Sequence, residues 1–217
     1  MKGMLIKDFM LLKNQKNFFM IICLVVAVMY FTNMNSVFAI NYMTLMITMF
    51  TISTISYDEF DNGFSYLFTL PVSRKGYVAE KYLFGLITGG AAWCAAALLT
   101  AGAAVLKQKP VLNELFPSAL IYLLLVLVLL TVSLPLHLKF GAEKSRMALL
   151  GVFGIVFAAV FCIVRGMRYL NYNTDVILAG LRTINPSVFM GGLGIVCVAA
   201  FIFSYFVSVR IMEKKQF

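Results

Sequence analysis

Few residues in this sequence could carry out chemistry, and none of them forms a catalytic or metal-binding motif. The single histidine, His137, lies near Lys139 at the end of an apolar run, where an interfacial anchor is its expected role. The four cysteines lie in different apolar runs and in no paired spacing, which is typical of packing residues rather than metal ligands. The phosphate-loop motif G-x-x-x-x-G-K-S/T is absent, so the chain is not expected to hydrolyse ATP by itself. We therefore expect no catalytic residue, no metal site and no cofactor bound by this chain.

The placement of the acidic residues indicates that any transport is driven from outside the chain. All nine Asp and Glu residues lie in predicted loops, tails or span ends, so no predicted span carries an ionisable residue near its centre. Proton-coupled and ion-coupled transporters depend on such intramembrane groups. We therefore expect a partner protein to supply the energy if this chain moves a cargo.

A stripe of polar residues runs along the second predicted span. Its members are three or four positions apart, so they share one face of a helix. They are Asn41, Thr44, Thr48 and Thr51. One interpretation is that they line a translocation path, and the other is that they hydrogen-bond neighbouring helices, at about 0.6 kcal/mol per pair. The sequence leaves both interpretations open.

The segment from Tyr57 to Lys75 combines acidic and aromatic residues in a pattern suited to protein docking. Over residues 58–70 the sequence predicts a helix with three acidic residues in its first turn and an aromatic ridge at three- and four-residue intervals. Membrane surfaces favour basic helices, so this composition points to a cytoplasmic protein with a basic groove. The alternative is an interfacial helix that packs only on its own spans. The residues expected to make the contact are Asp58, Glu59, Phe60, Asp61, Phe64, Tyr66, Leu67 and Phe68.

The composition places the chain in a lipid bilayer. Of its 217 residues, 62% are hydrophobic and 12% are charged, against about 45–50% and about 25% in soluble domains. These values exclude a soluble enzyme, a large extramembrane domain and a disordered chain. Six apolar segments reach the length of about 17–25 residues that a helical span needs. They are Asn17–Met34, Val37–Ser56, Val78–Leu106, Leu115–Leu136, Met147–Val164 and Ser187–Val209.

These elements make one predicted all-α transmembrane domain over residues 1–217, with six spans. Residues 1–16 alternate apolar and basic side chains, which predicts an amphipathic helix at the inner membrane surface. Residues 173–185 begin with Asn173-Thr174-Asp175, a helix-start sequence, and predict a short re-entrant outer helix before span 6. With both termini cytoplasmic, thirteen of the 18 Lys and Arg residues fall on the inner side, as the positive-inside rule requires. Anionic membrane lipids explain this basic excess, so nucleic acid is not an expected partner.

Three stretches of the sequence carry a family resemblance. They are residues 5–13, residues 58–82 with the run Leu70-Pro71-Val72-Ser73-Arg74-Lys75, and residues 134–146. Together they resemble the permease subunits of type-2 ATP-binding cassette (ABC) exporters, in particular the short six-span kind of Gram-positive bacteria. The resemblance implies a multi-pass protein of the bacterial cytoplasmic membrane.

The resemblance also implies partners. Two permease subunits, identical or paralogous, would pair, and each would bind a cytoplasmic ATPase subunit that holds ATP and Mg. Residues 58–70 would be the coupling helix between spans 2 and 3, seated in a cleft of the ATPase, and residues 1–16 the connecting helix. Spans 2 and 5 would border the path between the subunits. A second inner loop would carry Lys139, Glu143, Lys144 and Arg146.

The function expected from these observations is that of the permease subunit of an ABC exporter. The expected cargo is hydrophobic or amphipathic, with a peptide such as a toxin or antimicrobial peptide ranked first and a lipid or drug next. ATPase activity is expected only in complex with the partner ATPase. The alternative is a non-transporting membrane scaffold or assembly protein that recruits a cytoplasmic partner through its inner aromatic helix.

Overall fold

The computed structural model describes residues 2–32, 36–60, 63–106, 112–169 and 186–215. Within these residues every regular element is a helix, which confirms the predicted all-α class. The seven helices are α1 (Lys2–Asn14), α2 (Lys16–Phe31), α3 (Ser36–Glu59), α4 (Gly63–Leu67), α5 (Arg74–Leu106), α6 (Leu112–Tyr169) and α7 (Pro186–Lys214).

Four of these helices, α3, α5, α6 and α7, are long and apolar enough to cross a bilayer. A fifth crossing is available if α1 and α2, which are bent by 62° relative to one another, act as one broken span. Helix α1 corresponds to the amphipathic helix predicted over residues 1–16. The outer helix predicted over residues 173–185 lies outside the described residues. The chain is therefore a helical membrane protein, as its composition indicates.

Helix α6 replaces the loop predicted between the fourth and fifth spans, and that prediction is wrong. The helix runs through both segments with one non-helical residue, Gly141, at φ 76° and ψ 177°. Glycine adopts a positive φ without steric cost, so the chain can change direction there within a single residue. The flanking Ala, Glu, Lys and Leu residues favour helix, so a helix resumes at once. We refer to residues 112–140 and 142–169 as the first and second arms of α6.

The region predicted as one coupling helix over residues 58–70 has a different structure. Helix α3 continues through Glu59, and the next helix of the described chain is the five-residue α4. The sequence Asp61-Asn62 precedes Gly63, the first residue of α4, and these three residue types favour turns over helix interiors. Ser73 then caps α5, because its Oγ accepts a hydrogen bond from the Gly76 N–H at 3.0 Å. The last turn of α3 and the short α4 thus stand where a single helix was expected.

Small residues allow α5 to pack closely against α3 and α6. A Cβ atom added to Gly89 would stand 2.9 Å from Val126 Cγ1 and 3.0 Å from Thr48 Oγ1, which is closer than side chains tolerate. Gly90, the next residue along the same helix, faces open space. The spacing Gly85-x-x-x-Gly89 therefore serves the close helix approach that this motif permits in membranes.

The second arm of α6 is apolar on all sides and little covered by the rest of the chain. Its side chains remain exposed along most of its length, including Phe157 at 75% and Ile155 at 71%. A helix that is hydrophobic all round needs apolar surroundings on every face. Lipid or another membrane subunit must therefore surround this arm.

Candidate functional site

The ion pairs of the described residues lie at one end of the bundle, which we call the charged end. The last turn of α3, the start of α5, the break in α6 and the last turn of α7 meet there. The Arg74 guanidinium donates to the backbone carbonyl oxygens of Met212, Glu213 and Lys215 at 3.2, 2.7 and 2.9 Å. The last carbonyls of a helix lack partners within the helix, so these bonds fasten α7 to the start of α5.

Lys81 is the centre of a buried ion-pair cluster at the charged end. Its fully buried side chain pairs with Asp8 of α1 and with Asp58 of α3, the latter at 2.8 Å, and it donates to Thr54 Oγ1 at 3.1 Å. Lys7 also pairs with Asp58, and its Nζ lies 3.3 Å from Asp8 Oδ1. These five residues, the Lys81 cluster, join α1, α3 and α5 although they are far apart in sequence.

Because the Lys81 cluster is buried, its charges are tolerated only as long as they remain paired. An uncompensated charge in a protein interior is strongly destabilising, whereas a paired and hydrogen-bonded charge is tolerated. The Tyr77 hydroxyl adds a hydrogen bond to Asp58 Oδ2 at 3.1 Å. Burial lowers the pKa of Lys7, but Asp58 and Asp8 outweigh that effect and hold the pKa above its ordinary value. Lys7 is therefore charged at neutral pH and contributes its full attraction to both carboxylates.

Glu80 lies beside the cluster and adds a further acidic group. Its side chain is fully buried, and neither carboxylate oxygen has a hydrogen-bond partner among the described residues. Lys81 Nζ stands 3.8 Å from Glu80 Oε2. Three buried carboxyl groups, from Asp8, Asp58 and Glu80, thus surround the two lysines. Lys81, which lies within ion-pair distance of all three, is the residue on which the arrangement depends most.

The Lys81 cluster was not predicted, because from the sequence Asp8 and Glu80 are assigned only to loops, tails or span ends and Lys81 is counted only among the basic residues of the inner side. A signal was nevertheless present in the helical periodicity. Asp8 lies four residues after Met4, and Lys81 four residues after Tyr77, so each charge shares a helix face with a residue that the structure buries. Opposite charges on the apolar faces of two helices favour a buried pair between them.

The acidic residues predicted to contact a partner are engaged within the chain where the structure describes them. Asp58 belongs to the Lys81 cluster. Glu59 accepts a hydrogen bond from the Ala142 N–H at 2.7 Å and pairs with Lys215 at 3.6 Å. Asp61 lies outside the described residues. The two described carboxylates therefore hold α3 against α1, α5 and the break in α6.

The aromatic ridge divides into a buried part and an exposed part. Phe64 is buried against Tyr77, with ring centroids 5.6 Å apart, and Leu67 and Phe68 are half-buried on the same core. Phe60 and Tyr66 are exposed, at 74% and 73%. We call these two exposed residues the aromatic pair, since they are the members of the predicted contact set that present an apolar ring outward.

A cleft of about 440 Å³ opens beside Phe60 at the break in α6. Ser56, Glu59 and Phe60 line one side of it, and residues 140–144 line the other. The residues predicted on the second inner loop are all exposed around this break. They are Lys139, Glu143, Lys144 and Arg146. The structure therefore brings together two predicted contact regions, joined by the hydrogen bond between Glu59 and Ala142.

The polar stripe of α3 is buried within the chain. Thr44 and Thr48 donate to carbonyl oxygens one turn earlier, at 2.6 and 2.7 Å, and the Thr51 hydroxyl lies 3.2 Å from that of Thr88 in α5. Asn41 is half-buried, and its Oδ1 has no hydrogen-bond partner among the described residues. Of these contacts the one between Thr51 and Thr88 joins two helices, and the roles of the stripe in helix packing and in a translocation path both stay predictions.

Comparison with known proteins adds one finding. The sequence model of a family described as ABC-2 family transporter protein matches residues 3–213. The match includes α2 to α6 completely and nearly all of α1 and α7. No curated protein and no solved structure matches the chain.

Proposed function

The chain belongs to the ABC-2 family of transporter proteins, and we propose that it is the membrane-spanning permease subunit of an ATP-driven exporter. Permeases of this family generally work with cytoplasmic ATPase partners, which would hold the ATP and Mg. The observation that carries the proposal is the exposed aromatic pair, Phe60 and Tyr66, at the charged end near a cleft. Exposed aromatic residues beside a concave surface are typical of protein docking sites.

The topology that supports this function has six spans and both termini in the cytoplasm. The spans would be α2, α3, α5, the two arms of α6, and α7, because the 16-residue α2 overlaps the apolar segment Asn17–Met34 and each arm of α6 exceeds the roughly 20 residues that a crossing needs. Helix α1 would then lie in the inner interface of the bacterial cytoplasmic membrane. Thirteen of the 18 basic residues fall on the inner side in this arrangement, which makes the charged end the cytoplasmic end.

The Lys81 cluster suggests how a force at the docking site would reach the spans. Phe60 follows directly after α3, whose last turn is held to α1 and α5 by Lys81 and Lys7. A push on the end of α3 would therefore move three helices together rather than bend one. Glu59 extends the same connection to the break in α6 through Ala142.

A second permease subunit, identical or paralogous, would cover part of the apolar second arm of α6. This arm exposes large apolar side chains on every face, as a span between a partner subunit and lipid requires. Pairing through it would place α3 and α6 beside a path between the subunits, and Asn41, Thr44, Thr48 and Thr51 would lie in one of its walls.

The cargo we propose is hydrophobic or amphipathic, with a membrane-active peptide first and a lipid or drug next. An apolar cavity of about 620 Å³ between α2, α3 and α5 supports this choice. Among the described residues its lining includes Val26, Tyr30, Met43 and Leu99, and no charged residue. The second candidate function is a membrane scaffold that recruits a cytoplasmic protein, and the same aromatic pair supports it.

Transport in proteoliposomes distinguishes the two candidates. The chain is reconstituted with an ATPase encoded beside its gene, and the movement of a fluorescent amphipathic peptide is followed with and without ATP. We expect ATP-dependent movement that disappears when the phosphate-loop lysine of the ATPase is replaced, since the permease itself has no phosphate loop. Binding of the ATPase without any ATP-dependent movement of peptide, lipid or drug would favour the scaffold instead.

A further inference from the structure

A groove between α3 and the second arm of α6 combines apolar walls with a cationic mouth. Its volume is about 420 Å³, and it lies next to the break at Gly141. We call it the inner groove. Its apolar walls are Met49, Ile52, Leu149, Leu150 and Phe153, and Arg146 lies at its mouth.

The inner groove runs along the direction of the spans. Arg146 lies five residues after Gly141, and Phe153 lies seven residues further along the arm, which is about 10 Å at 1.5 Å per residue. On the opposite wall Ser56 and Met49 are separated by the same number of residues. One leaflet of the hydrocarbon core is about 15 Å thick. The groove therefore extends from the membrane surface through much of one leaflet.

The mouth of the inner groove carries unbalanced positive charge. Arg146 lines the groove itself, and Lys144 and Glu143 line the neighbouring cleft. Over residues 139–146, three cationic side chains accompany one acidic side chain. Neither Arg146 nor Lys144 has an acidic group within ion-pair distance in the described part of the chain. An anion at the mouth would thus meet Arg146, a cation that no acidic group of the described residues pairs with.

The other ionisable group of the groove is already satisfied by the protein. His137 Nδ1 lies 3.1 Å from the Ser133 carbonyl oxygen, and its Nε2 lies 3.0 Å from Ser145 Oγ. His137 is buried, whereas Arg146 is exposed. Arg146 is therefore the group of the inner groove that is free to hold a ligand.

We propose that the inner groove binds an anionic phospholipid of the cytoplasmic leaflet, with the phosphate on Arg146 and one acyl chain along the apolar walls. Arginine presents planar donors that match phosphate oxygens, and basic pockets between spans on the cytoplasmic side suit anionic headgroups. The apolar walls need an apolar occupant, which excludes a free phosphate. This inference rests on the proposed topology, which puts the charged end at the inner surface.

The test uses the full chain in detergent micelles without the ATPase, titrated with phosphatidylglycerol or phosphatidylcholine and analysed by native mass spectrometry. We expect a retained phosphatidylglycerol and about tenfold weaker binding in Arg146→Gln, because a charge-assisted hydrogen bond is lost. Ser53→Phe, which fills the groove from an exposed position and leaves the cations in place, should weaken binding as well. Arg210→Gln, at an exposed arginine near the end of α7, is the matched control and should bind as the wild type does.

Three results would overturn the proposal. Arg146→Gln and Arg210→Gln could weaken binding equally, which would mean diffuse attraction to basic residues. Phosphatidylcholine could bind as tightly as phosphatidylglycerol, which would mean that the site does not select charge. Ser53→Phe could bind as the wild type does, which would mean that the lipid binds outside the inner groove. The titration contains no ATPase, so a negative result would not contradict the proposed permease function. That function is tested separately by transport in proteoliposomes.

Discussion

Replacing Lys81 by methionine is expected to prevent most of the protein from accumulating in folded form. Methionine keeps the length of the side chain but removes the cation that Asp8, Asp58 and Glu80 share, and it leaves the partly exposed Lys7 to pair with Asp8 and Asp58. Breaking a buried pair by removing one partner costs about 3–5 kcal/mol, a large part of the roughly 5–15 kcal/mol that stabilises a typical protein. Two quantities are measured. They are the yield of monodisperse protein after detergent extraction and the midpoint of thermal unfolding of the protein that is recovered.

Lys75→Met is the matched control for this variant. Lys75 is on the same helix, but its side chain is 70% exposed and pairs with an exposed Glu213 at 3.4 Å. Exposed pairs contribute about 0–1 kcal/mol, so yield and unfolding midpoint should stay near wild type. Combining Lys81→Met with Asp8→Asn removes one of the facing charges and should recover part of the yield. A Lys81→Met protein as stable as Lys75→Met would show that the cluster does not hold the charged end together.

Replacing both Phe60 and Tyr66 by alanine is expected to abolish most ATPase binding without affecting the fold. Both rings are exposed, at 74% and 73%, so their removal creates no cavity in the protein. Aromatic anchors at protein interfaces contribute about 2–4 kcal/mol or more, and a loss of this size weakens binding by about 30- to 1000-fold. The measurement is the dissociation constant of the ATPase for the permease in lipid nanodiscs.

Two single variants serve as controls for the aromatic pair. Phe31→Ala removes a ring that is 87% exposed at the far end of α2, and it should change neither binding nor stability. Phe64→Ala removes a buried ring of the same ridge and should lower the unfolding midpoint, because it leaves a cavity beside Tyr77. If the double variant binds the ATPase as tightly as Phe31→Ala does, the docking site lies elsewhere.

The long helices could be predicted from the sequence because a membrane span requires a long segment of apolar residues. The run from Leu123 to Leu130 is uninterrupted, and it lies in the first arm of α6 as expected. The break in α6 was harder to predict, because residues 137–146 are polar enough for a loop and yet favour helix. Only the backbone conformation of Gly141 shows that one residue is sufficient to separate the arms.

The sequence predicts the contact residues of the candidate site, but not which of them are buried or what they pair with. Periodicity identified an aromatic ridge, but the same spacing fits a ring that packs inward, such as Phe64, and rings that point outward, such as Phe60 and Tyr66. The partners of Asp58 could not be read from its neighbours, because Lys7 is 51 residues away in sequence. Long-range pairs of this kind depend on how the helices pack, which a single sequence does not specify.

Docking of the ATPase on the aromatic pair is tested most directly by mapping where the ATPase touches this chain. A photoreactive benzoylphenylalanine is placed at position 60 or 66, with the same residue at position 31 as control, and the membranes are irradiated in the presence of the ATPase. We expect crosslinks to the ATPase from positions 60 and 66 and none from position 31, since only the first two lie at the proposed cytoplasmic end. A correctly folded chain that crosslinks from position 31 but from neither of the other two would contradict docking on the aromatic pair.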